Sequence, residues 1–144
     1  MISRADFTRV EGSREQRKLM RSLARLSRQG YSVLATAPQP DQWSGKQDGP
    51  DDALIGTDSI RNRLADAGGL LDGIYYVPRS LMTQRRNRQE ALNDIMARYS
   101  IEPKNIYLFS SSRRWAEMAD SMGMNASYLD GKVPLTEQLQ ALLG

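Results

Sequence analysis

Residues 105–115 read Asn105-Ile-Tyr-Leu-Phe-Ser110-Ser-Ser-Arg-Arg-Trp115. A strand-like, mostly apolar run enters three serines. Two arginines then open a segment with Trp115, Met118, Ala119 and Met122 at helical spacing. Strand, short turn and helix form the repeating unit of a parallel α/β sheet, whose ligands sit off the carboxyl ends of the strands. A helix N-terminus adds unpaired N–H groups and a positive dipole end, so such a turn favours an anion. Ser110, Ser111, Ser112, Arg113 and Arg114 are therefore candidate ligand contacts.

The alternation extends in both directions. Upstream, Ser13 and Gln16 form a capping-box pattern, and Leu19, Met20, Leu23 and Leu26 recur at helical spacing until Gly30. The opposite side of that helix carries Arg14, Arg17, Lys18, Arg21, Arg25 and Arg28, with Glu15 as local relief. Residues 31–36 predict a strand. The turn-rich segment that follows holds Trp43, which either covers a site or, the reading favoured, staples the loop to the body. A helix burying Ile60 and Leu64 ends at Gly68-Gly69. Residues 73–77 predict the next strand, and residues 79–88 a basic loop with Arg85, Arg86 and Arg88 close together. A third helix buries Ala91, Leu92, Ile95, Met96 and Tyr99. Downstream of residue 115, residues 125–129 predict a last short strand, and Leu135, Leu139, Leu142 and Leu143 line a terminal helix. Strands alternating with helices imply βαβ units, right-handed crossovers and a mostly parallel sheet. The expected architecture is one three-layer, Rossmann-like α/β domain over residues 1–144, with helices on both faces and no separate cap.

Composition narrows the chemistry. The 144 residues contain neither Cys nor His, which removes disulfides, thiolate metal sites, imidazole catalysis and the usual zinc ligands. A metal would have to be a hard cation held by carboxylates. The formal charge is +3 and is carried mostly by Arg, which suits planar recognition of phosphate or carboxylate. No apolar run spans a bilayer and no signal-peptide pattern opens the chain, so a cytoplasmic protein without membrane contact is expected.

Three segments carry a resemblance to a known family. Gly30-Tyr-Ser-Val-Leu-Ala-Thr36 resembles the second-motif strand of the haloacid dehalogenase (HAD) superfamily. Leu71-Asp-Gly-Ile-Tyr-Tyr-Val-Pro78 resembles the segment before the metal-binding loop of its small, capless phosphatases for heptose bisphosphate and histidinol phosphate. Residues 99–109 resemble the approach to the fourth motif. The resemblance implies a fold with a central first strand ending in Asp-x-Asp, a phosphate-neutralising Lys and an acidic pair for Mg²⁺. It places Ser3 at the nucleophile, Ala5 at the general acid/base, Thr36 at the second-motif hydroxyl, Arg86 at or near the Lys, and Ser111 and Trp115 at the acidic pair. A shifted register puts Asp6 at the nucleophile and Thr8 at the second position. Residues 79–84 hold no Cys or His for the zinc loop of those relatives.

Phosphoryl transfer depends on positioning and on charge stabilisation, with a metal offsetting the phosphate. The resemblance thus implies a degenerate phosphatase homologue with no expected catalytic residue, metal or cofactor. It would act as a binding or regulatory module through Thr36, Arg86 and residues 110–114, on a phosphorylated small molecule or an acidic protein partner. Two alternatives stand beside it. One is an active Mg²⁺-dependent sugar-phosphate phosphatase with relocated acids from Asp6, Glu11, Asp41, Asp48, Asp51 or Asp52. The other is a nucleic-acid-binding protein using its Arg-rich surface. The central strand is the point of tension, because residues 1–6 are short and polar where a strand buried on both faces should be apolar.

Overall fold

A computed structural model describes residues 1–9, 13–38, 60–77 and 84–143. Trp43, Glu11 and the loop acids Asp41, Asp48, Asp51 and Asp52 lie outside the described residues. The strands are β1 (Ile2–Ser3), β2 (Val33–Pro38), β3 (Leu71–Val77), β4 (Tyr107–Ser110) and β5 (Asn125–Tyr128). All pair in parallel, in the order β3-β2-β1-β4-β5. The helices are α1 (Arg4–Arg9), α2 (Ser13–Arg28), α3 (described over residues 60–66), α4 (Gln84–Tyr99), α5 (Arg113–Ser121) and α6 (Leu135–Leu143). The chain is therefore an all-parallel, Rossmann-like α/β fold.

Two apolar clusters define the layers. Leu19, Leu23 and Leu26 of α2, Leu64 of α3 and Leu139 of α6 bury against one face of the sheet, with Phe7, Val33 and Phe109. Leu92 of α4 and Ala119 of α5 bury against the other, with Ile106, Leu108 and Met124. A leucine moved from water into such a core contributes about 1.5–3 kcal/mol. These clusters therefore fix which side of each amphipathic helix faces inward.

The tension over β1 resolves into a stub. Its two residues do occupy the central position: Ile2 pairs with both Ala35 and Phe109, and Ser3 with Thr36. Ile2 is buried, and Phe7 of α1 completes the apolar filling that a longer strand would supply. Below the stub, the Met1 α-amine donates to the Tyr107 carbonyl at 2.7 Å, and the Met1 carbonyl accepts from the Phe109 amide at 3.0 Å. Burial lowers that amine from 8.0 to about 5.

Several local expectations change. The basic segment before residue 88 is not all loop: α4 begins at Gln84, so Arg85, Arg86 and Arg88 lie in its first turns. Tyr99 is 40% exposed rather than buried, and its hydroxyl comes close to β3 at Gly73, where no Cβ stands in the way. Gln16 donates its side-chain amide to the Phe7 carbonyl at 3.0 Å and so ties α2 to α1. Gly69 is needed for close approach: a Cβ there would stand 2.8 Å from the Ala24 backbone and from Leu64 Cδ1.

α2 keeps its outer side basic at a cost. The pairs Arg14–Arg17, Arg14–Lys18, Arg17–Arg21, Lys18–Arg21, Arg21–Arg25 and Arg25–Arg28 each oppose the helix by about 0.2–0.5 kcal/mol. Within the helix, Glu15 relieves Lys18 at 3.4 Å. Burial of the leucine side offsets the repulsion.

Candidate functional site

The carboxyl edge is where the sheet brings several expected residues together. Ser3 and Thr36 stand side by side in register. Because Ile2 pairs with Phe109, Ser3 also lies level with Ser110 at the end of β4. Ser110 is buried, while Ser3, Thr36, Ser111 and Ser112 are half-buried.

The centre of this edge is occupied by Asp6. Ser3 caps α1 and meets the side chain of Asp6 three residues on. The Ser3 hydroxyl oxygen accepts from the Asp6 amide at 3.2 Å, and the hydroxyl donates to Asp6 Oδ2 at 2.7 Å. The same Oδ2 accepts from the Ser111 amide at 3.2 Å, across the sheet from β1 to the turn after β4. Asp6 is only 4% exposed. A carboxylate removed from water needs such donors, and charge-assisted hydrogen bonds of this kind are the stronger class.

The turn after β4 therefore uses its own polar groups. The Ser111 amide goes to Asp6, and the Ser112 amide donates to Ser110 Oγ at 3.0 Å. Ser112 occupies the N-cap position of α5 without a side-chain cap bond. Arg113 turns outward onto the Tyr128 ring, 5.1 Å from its centroid, in a cation–π contact with β5. Arg114 is exposed. Trp115 is half-buried and packs against the cluster under α4 and α5, so it serves the core.

At the positions the resemblance gives to catalysis, Ser3 is a helix cap and Ala5 an exposed methyl with no proton to give. Arg86 falls on α4, and its side chain lies outside the described part. The donors described at this edge do not fit Mg²⁺, since they include one carboxylate whose Oδ2 already accepts two hydrogen bonds. Among the described residues no group of three acidic side chains is placed to hold a metal. The sequence offers Asp6 as a shifted nucleophile or a relocated acid. Its part in the cap is signalled by the Ser-x-x-Asp spacing at a helix start.

A cavity of about 420 Å³ opens at the other end of the sheet, at the amino ends of the strands. Leu26 and Leu142 line it from one layer, Ile95 and Tyr99 from the other, and Met1 and Tyr107 from between. Met1 and Ile2 stand at its floor beside Val33 and Tyr107, so it opens at the amino end of β1 and its neighbours.

Elsewhere, Tyr75 of β3 donates to Asp94 Oδ2 at 2.7 Å, and Arg98 meets the same oxygen at 3.4 Å while lying over the Tyr75 ring. Desolvation, followed by the Asp94 hydrogen bond, raises the Tyr75 phenol above its usual value. The group ties β3 to α4. Among the described residues no helix is long and apolar enough to cross a membrane. Compared with protein-family models, curated proteins and solved structures, the chain gives no match.

Proposed function

We propose that this chain is a catalytically degenerate homologue of HAD-type phosphatases, acting as a binding or regulatory module for an anionic ligand or an acidic partner. One observation carries the proposal: Asp6, the acid nearest the nucleophile position, is held by the Ser3 hydroxyl and the Ser111 amide. A nucleophilic carboxylate must face the phosphorus and leave its acid partner within proton-transfer reach. Here the carboxylate closes a cap, and no acid follows two residues later. Asp6 also takes an amide that an anionic ligand would otherwise receive, which leaves Thr36, Arg86, Arg113 and Arg114 as ligand contacts.

The test has two arms. With millimolar Mg²⁺, p-nitrophenyl phosphate and a set of sugar phosphates should release no phosphate above blank. Inorganic phosphate or glucose 1-phosphate should change Trp fluorescence saturably, and the Arg113→Gln/Arg114→Gln variant should lose that response. Turnover abolished by a single substitution at Asp6 would establish an active phosphatase instead. A fluorescence response unaltered in the double variant would remove the ligand site.

A further inference from the structure

The basic side of α2 is a second, separate surface. With 3.6 residues per turn and 1.5 Å rise, Arg14, Arg17, Lys18, Arg21, Arg25 and Arg28 fall within an arc of about 100° along about 21 Å of axis. All five arginines are exposed, whereas Leu19, Met20, Leu23, Ala24 and Leu26 are buried beneath them. Arg61 and Arg63 of α3, in the same layer, are exposed as well. Against these eight basic residues the described parts of α2, α3 and α6 present Glu15, Asp66 and Glu137. The excess of five exceeds the +3 of the whole chain, so all other residues together are net negative. α4 itself packs on the opposite face of the sheet.

We propose that this layer binds the phosphodiester backbone of a nucleic acid, without reading its sequence. The chemistry of the surface separates this ligand from other anions. A protein partner is held by arginines together with aromatic and apolar anchors at the centre of an interface, and a membrane by apolar side chains inserted beneath the headgroups; this surface has the arginines without the anchors. α2 has committed its apolar residues to its own core, so it offers charge alone. Charge alone suffices for a backbone that presents a phosphate charge every ~1.7 Å of duplex axis and releases counterions when neutralised. Guanidinium groups add paired N–H donors shaped for phosphate oxygens. With few base-reaching groups beside them, such contacts fix position rather than sequence.

The test is fluorescence anisotropy with two labelled probes, a 20-base-pair DNA duplex and a 20-nucleotide single-stranded RNA. Five phosphate contacts predict a slope of log K against log salt of about −4.5 for the duplex, roughly a 500-fold loss of affinity from 50 to 200 mM NaCl. For the single strand the slope is about −3.5. A duplex of scrambled sequence should bind equally well. Arg14→Gln/Arg21→Gln/Arg25→Gln should reduce the duplex slope by about 2.7, with circular dichroism showing an intact helix. Arg113→Gln/Arg114→Gln should leave probe binding unchanged, which separates this surface from the carboxyl edge. No binding at 50 mM NaCl, or a triple variant that binds like the parent, overturns the proposal. So does tighter binding of poly-glutamate or of anionic vesicles than of either probe.

Discussion

Replacing Ser3 by alanine is the sharpest test of the arrangement at the carboxyl edge. The change removes one oxygen and two hydrogen bonds, the cap to the Asp6 amide at 3.2 Å and the bond to Asp6 Oδ2 at 2.7 Å. Loss of an N-cap acceptor costs about 1 kcal/mol. Loss of a donor to a charged acceptor costs about 1.5–3 kcal/mol, and Asp6 at 4% exposure has little water to turn to. The expected destabilisation is about 3 kcal/mol, a large share of the 5–15 kcal/mol typical of a domain. For a chain of this size that is a fall in Tm of about 10 °C. Urea denaturation followed by circular dichroism should show a lower midpoint at unchanged m. Asp6→Ala should cost less in the Ser3→Ala background than alone, with a coupling of about 1–2 kcal/mol. Ser112→Ala is the control: Ser112 also precedes a helix, but its side chain makes no cap bond, so its loss should cost less than about 0.5 kcal/mol. If Ser3→Ala is as mild as Ser112→Ala, Asp6 is not held as described and the case against catalysis loses its support.

Two further outcomes follow from packing and burial. Gly69→Ala should destabilise by about 3 kcal/mol, the upper end for overpacking, because its Cβ would meet the Ala24 backbone. Gly73→Ala should cost about 1 kcal/mol, because the obstructing atom is the hydroxyl of half-exposed Tyr99, which can swing aside; equal costs in urea melts would contradict both. The Met1 amine gives the pH dependence, since its folded value of about 5 lies below the ordinary 8.0. Above pH 8 the amine is neutral in both states and stability is full. As pH falls from 8 towards 5, the unfolded chain takes up the proton first, and stability drops by at most about 1.4 kcal/mol per pH unit. Denaturation at pH 8 and pH 5.5 measures the slope, and Nα-acetylation should flatten it; an unchanged slope would show that the amine is solvated.

Local periodicity made much of the fold legible. Leu19, Leu23 and Leu26 recur at helical spacing, and that spacing alone says α2 has one inward side and leaves its arginines outside. Gly30 and Gly68 mark the ends of α2 and α3 because a positive φ is easy for glycine, and both adopt one. The run from residue 105 into three serines shows a strand entering a helix, which alternation then extends to a parallel sheet. These are local properties, set by neighbours within a few positions along the chain.

What the sequence left open depends on contacts between distant residues. Asp6 and Ser111 are 105 positions apart, and no spacing rule connects them, so nothing local shows that one amide of this turn goes to the chain's own carboxylate. The central place of a two-residue strand depended on Ile2 pairing with both Ala35 and Phe109, which no run of residues 1–6 could announce. Basic segments that look alike in the sequence were sorted by the sheet itself: the arginines of α2 form one continuous surface, while α4 lies in the opposite layer. Side-chain type fixes what each group can do, but only the folded chain brings a carboxylate to an amide or lines up charges on one face.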